Sequence, residues 1–91
     1  MKIGKVTGSV WATKKEETLN GQKLLVLKLL ESSEREKEGL IVASDIIGAG
    51  VGDLVLVSFG SVARYAVGSV NAPIDAAVIG IVDSIEVDGY E

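Results

Sequence analysis

The chain predicts a small, mainly β protein in which five short antiparallel strands close into a barrel carrying one short helix. Two features point there. Apolar runs only a few residues long are separated by Gly, Asn and Pro, and glycines recur inside strand-like stretches, as strongly bent walls require. Ninety-one residues make one domain spanning 1–91. A chain this short buries only roughly 60–65% of the surface its unfolded form exposes, so partners would help to stabilise it.

The first strand is expected within residues 2–13, with Val6, Gly8, Val10 and Ala12 on one side and Lys5, Thr7, Ser9 and Trp11 on the other. Gly4 and Gly8 weaken a strand interior unless the backbone bends or meets a neighbour closely, so curvature is expected here. Residues 14–22 are polar and hold Asn20-Gly21, a turn signal because both residues tolerate positive φ. A hairpin then returns over residues 23–31. Its Leu24-Leu25-Val26-Leu27-Lys28-Leu29-Leu30 is apolar on both faces except at Lys28. A helix is the alternative, but the run is short, lacks an N-cap and directly follows a turn.

Residues 32–39 form a charged, solvent-facing loop, followed by a short third strand, Leu40-Ile41-Val42-Ala43. Residues 45–53 connect through alternate glycines to a charge-free buried strand over residues 54–59. Ser61 can N-cap a helix through Val62-Ala63-Arg64-Tyr65-Ala66-Val67, with Gly68 placed to end it in the left-handed conformation. Pro73 marks a loop. The last strand runs from about residue 76 to 87, where Ala77, Ile79, Ile81, Ile85 and Val87 share one parity and Asp83 calls for a bulge or a strand end. Five strands of this length suit the oligonucleotide-binding type of barrel.

Composition narrows the function. The chain has no Cys and no His, which removes thiol chemistry, disulfides and the commonest general base and metal ligand. No enzyme activity and no cofactor are therefore expected. A net charge of −4 argues against nucleic acid as a partner. Lys14-Lys15 is followed at once by Glu16-Glu17. No apolar run approaches the roughly 18–20 residues that span a bilayer, and no secretory signal follows Met1, so a cytosolic, non-membrane protein is expected. Apolar residues are 47% of the chain, high for a soluble monomer, so some apolar surface is expected to meet another subunit.

The Gly48-x-Gly50-x-Gly52 run lacks the helix and lysine of a phosphate-binding loop. A tight turn with positive φ at two or more positions, or a loop packed against symmetry copies of itself, remains. Asp45, Asp53, Asp75 and Asp83 have no catalytic spacing, and Asp53 and Asp75 stand where aspartate bonds nearby backbone amides. Arg64 suits a subunit salt bridge better than an anion site. Trp11 suits either the core or an interface.

The blocks Met1-Lys2-Ile3-Gly4-Lys5-Val6, Val10-Trp11-Ala12-Thr13-Lys14-Lys15, Leu24-Leu25-Val26, Gly48-Ala49-Gly50-Val51-Gly52-Asp53 and Ala72-Pro73-Ile74-Asp75 occur in order across nearly the whole chain. Together they resemble the pentameric vertex proteins of bacterial microcompartment shells, the EutN/CcmL family. The resemblance implies a homopentamer of oligonucleotide-binding-type barrels that caps five-fold corners between hexameric shell tiles. A sheet of hexamers is flat, and five-fold units supply the curvature that closes it. By the same resemblance Gly48, Ala49, Gly50 and Val51 face the five-fold axis, and Trp11, Ser61, Arg64 and Tyr65 lie at the subunit interface. Val62 stands where family members often carry a second serine, so a hydroxyl role there falls to Ser61 alone. A bulky residue at Gly50 is expected to impair the ring through strain at positive φ or crowding at the axis. The rival is a barrel of the same type that binds single-stranded nucleic acid or another polymer.

Overall fold

The computed structural model describes residues 1–13, 15–30, 39–68 and 72–86. Strands β1 (Lys2–Ser9), β2 (Leu24–Leu29), β3 (Ile41–Asp45), β4 (Leu54–Phe59) and β5 (Ala76–Ile81) close into a barrel in the order β1-β2-β3-β5-β4. One helix, α1 (Gly60–Val67), connects β4 to β5. The mainly β, five-stranded barrel with one helix is as expected, with one change. β3 and β5 run parallel, with Ser44 opposite Ala77 and Asp45 opposite Val78, while the other four pairings are antiparallel. Closure forces this: β1 already holds β2 and β4 on its two edges, so the remaining edges of β3 and β5 must meet whatever their direction.

Interior-facing residues alternate along each strand, as a closed wall requires. Val6, Leu25, Leu27, Ala43, Val55, Val57, Ala76 and Val78 fill the core, with Leu29, Ile41 and Phe59 packed against it. β1 keeps the expected division, with Val6 buried and Lys5, Thr7 and Ser9 exposed, but its ladder ends at Ser9. Its register on β2 slips between Val6 and Gly8, the expected place for a bend. Gly4 answers the other half of that expectation: a Cβ there would lie 3.4 Å from Leu29 Cδ2 and 3.6 Å from Val57 Cγ2.

The turn before β2 uses a short 3-10 segment, Glu17–Leu19, and positive φ at Gly21 alone, since Asn20 is extended. β2 is a strand rather than a helix. β5 stops at Ile81, before Asp83, so the strand end accounts for the charge. Val78 and Ala76 face the core, and the expected common parity of Ala77, Ile79 and Ile81 is broken by a register shift opposite Leu56 and Val57, after which Ile81 pairs with the core residue Val55. Residues 87–91 and all but Gly39 of the stretch expected as a charged loop, 32–39, lie outside the described residues.

Ser61 does not cap α1. The helix starts two residues earlier than expected, so Phe59 occupies the N-cap position and no side chain bonds there. The Gly60 amide bonds instead to Asp75 O at 3.0 Å, which anchors the helix start to the β5 approach. Gly68 ends the helix at φ 76°, and its N–H donates to Arg64 O and Tyr65 O, as expected.

Candidate functional site

The connection between β3 and β4 is held by two carboxylates. Asp45 continues the inward parity of Ile41 and Ala43, so its side chain arrives at the end of the barrel with no solvent exposure. There Oδ1 accepts from Ile47 N at 2.9 Å, Oδ2 accepts from Ala49 N at 2.9 Å, and both oxygens receive Gly48 N at 3.1 Å. Lys23 Nζ lies 3.4 Å from Oδ2 and donates to Ala49 O at 3.2 Å. Burial by itself raises the Asp45 pKa, but the three amides and the Lys23 ammonium outweigh it and hold the carboxyl below its ordinary value.

Farther along, Gly50 N donates to Asp53 Oδ2 at 2.9 Å and Gly52 N to Val6 O at 2.9 Å. Asp53 therefore does bond a nearby amide as expected. Gly48 and Gly52 take φ of 97° and 95°, so two positions of the turn require the left-handed side of backbone space. Gly50 does not, and a Cβ on it would meet nothing within 4 Å of its own chain. Strain at positive φ is thus no reason for glycine at position 50.

The four residues expected at an axis divide. Gly48, Gly50 and Val51 are exposed, Val51 at 72%, while Ala49 is buried and belongs to the core cluster. Its side chain packs into the core rather than projecting from the turn. Ile46 and Ile47 are also exposed here, although they follow a fully buried segment.

Trp11, just beyond β1, is 90% exposed, which removes the core alternative. It lines a recess with Ala12, Lys15 and Lys23, so Lys23 brings Trp11 and the carboxylate-held turn to one region. The other expected interface residues sit on α1, which packs on β4 and β5. Tyr65 is 79% and Val62 61% exposed, and Ser61 is exposed beside them. Arg64 is half-buried, and its Nη1 donates to Ile74 O at 3.1 Å, so one donor secures the loop before β5 within the chain.

Sequence reasoning singled out neither Asp45 as the holder of the turn nor Lys23 as its partner. The available signal was an aspartate three residues ahead of a glycine, the spacing of side chains that collect free amides in turns. Gln22 was missed likewise, and its Oε1 accepts from Ser44 Oγ at 2.6 Å beside the Lys23–Asp45 pair.

A closed barrel with its own filled core and large apolar side chains left exposed on several elements has the makings of a self-assembling building block. Comparison with known proteins makes this specific. The profile of the family described as ethanolamine utilisation protein EutN/carboxysome matches residues 1–83, and the chain belongs to this EutN/CcmL family. It is 46% identical over 90 residues to the carboxysome shell vertex protein CcmL of Thermosynechococcus vestitus, covering 99% of this chain and 91% of that protein. Among solved structures it superposes on CcmL of Gloeobacter violaceus with a TM-score of 0.87 at 43% identity, covering 97% and 91% of the two chains. The pentameric microcompartment shell protein GrpN of Rhodospirillum rubrum superposes with a TM-score of 0.82 at 45% identity, covering 96% and 99%.

Proposed function

We propose that this chain is a structural subunit that joins four copies of itself in a homopentamer and caps the five-fold vertices of a bacterial microcompartment shell in the cytoplasm. Residues 1–91 act as one vertex-protein domain, with no catalytic group and no cofactor. Hexameric shell proteins are its neighbours. The observation that carries this reading is the exposure of Trp11, Val51, Val62 and Tyr65 on a barrel whose interior is already filled. A monomer rarely leaves so many large apolar groups in water unless a partner covers them.

A closed ring uses heterologous contacts, in which two different patches of one subunit meet their complements on its neighbours. The chain has two such patches. Trp11 and the turn form one region, and Ser61, Val62 and Tyr65 on α1 form the other, with Arg64 at its half-buried edge. The count of five follows the pentameric relative, and Gly48, Gly50 and Val51 are assigned to the rim of the axis because only small groups fit where five copies converge. Obligate interfaces of this kind bury about 2,000 Å² or more and are rich in apolar area.

Native mass spectrometry of the purified chain is expected to give a particle of five copies. One, two, three or six copies would overturn the reading. Saturable, salt-sensitive binding of single-stranded nucleic acid in a filter assay would favour the polymer-binding barrel instead.

A further inference from the structure

We propose that Asp45 is a positioning residue for ring assembly, whose carboxylate pre-orders the turn over residues 46–51 so that Ile46, Ile47 and Val51 meet the neighbouring subunits in a fixed geometry; this rests on the pentameric reading above. A buried carboxylate is costly unless its lone pairs are occupied. Here they are taken up by Ile47 N, Gly48 N, Ala49 N and Lys23 Nζ. Hydrogen bonds to an ionised acceptor are the strong kind, and three of these four end on consecutive backbone amides. The carboxylate thus replaces the ladder that β3 loses when it ends at Asp45.

The far half of the connection is held from the other side. Gly50 N reaches Asp53 Oδ2, Asp53 N reaches Gly50 O at 3.0 Å, and Gly52 N reaches Val6 O. With both halves pinned, what projects is apolar: Ile46 is 47%, Ile47 44% and Val51 72% exposed. Ile46 and Ile47 leave nearly half of their surface, and Val51 nearly three quarters, to be covered from outside the described chain. A loop ordered before association spares the complex the cost of ordering its side chains on binding.

Lys23 is auxiliary. Its side chain is 54% exposed, and the three amide bonds to Asp45 do not depend on it.

The test compares the full-length chain with Asp45→Ala, Asp45→Asn and Lys23→Gln by sedimentation over a concentration series. The temperature is one at which far-UV circular dichroism shows every variant folded. Asp45→Ala is expected to raise the concentration of half-assembly at least tenfold. Asp45→Asn, which keeps one acceptor oxygen, should recover part of that loss, and Lys23→Gln should stay within about threefold of wild type. A purely structural role would lower the melting temperature without this graded order in assembly. Assembly of Asp45→Ala at the wild-type concentration overturns the proposal and leaves the pentamer standing. Collapse of the fold in both Asp45 variants also overturns it, by making the residue a requirement of the barrel itself. A wild-type chain that never assembles removes the pentameric reading and this proposal together.

Discussion

The side chains inside the barrel and the large groups on its outside are both apolar and meet opposite fates. Val6, Leu27, Val55, Val57 and Val78 have no solvent exposure and face one another across the closed wall. Trp11, Val51, Val62 and Tyr65 are at least 61% exposed and project from the β1–β2 connection, a turn and a helix. Burial of an aliphatic side chain is worth about 1.5–3 kcal/mol wherever it happens. The inner set obtains that energy on folding, and the outer set can obtain it only on association. The difference teaches that this chain divides its stabilisation into an intramolecular part and an intermolecular part, and that separate mutations should reach each.

Leu27→Ala should break the inner set most severely. Leu27 is fully buried at the centre of the cluster, and truncation there is expected to cost about 2–5 kcal/mol, read as a lower denaturation midpoint of the isolated chain. Trp11→Ala should act on the outer set. An aromatic anchor at an interface is worth about 2 kcal/mol or more, so the half-assembly concentration should rise roughly thirtyfold, while the melting of the dissociated chain stays within about 0.5 kcal/mol of wild type. Equal losses of folding and assembly in that variant would erase the division.

The glycine turn sharpens the comparison at smaller scale. Gly48→Ala forces a side chain into φ 97° and is expected to cost about 1–2 kcal/mol of chain stability. Gly50→Ala has open space around its Cβ and an unstrained φ, so it should leave the chain's stability alone, and any loss of the ring from Gly50→Val reads as crowding between subunits. Thermal unfolding and native mass on the same samples separate the two effects.

Acid should produce the smallest effect. The folded pKa of Asp45 is depressed below its unfolded value of about 3.9. Its contribution is therefore complete above that pH and is lost as the pH falls through the lower, folded value. Between about pH 5 and pH 2, wild type should lose more stability than Asp45→Asn, whose neutral amide does not titrate there. Parallel acid unfolding curves for the two proteins would remove the Asp45 contribution.

Much of this was legible in the order of the residues. The strand over Leu54–Phe59 matched to the residue because a charge-free run bounded by Asp53 and Gly60 leaves little choice of limits, and Gly68 marked the helix end because only its backbone takes φ 76° without strain. The exposed and buried sides of residues 2–9 followed from alternation alone. Helix entry was less legible: Ser61 is a good cap by type, yet Gly60 turns at φ 69° and gives its amide to Asp75 O, a partner 15 residues away.

By itself the sequence determined the kind of wall, the places where it bends, the family and the surplus of apolar surface, since these depend on local backbone preference and on composition. Tertiary structure alone decided that β3 lies parallel to β5, that Ala49 points inward while Val51 points out, and that Lys23 from the preceding hairpin meets the Asp45 carboxylate. Those outcomes depend on which distant segments closure brings side by side, and no short-range pattern of residues encodes that distance.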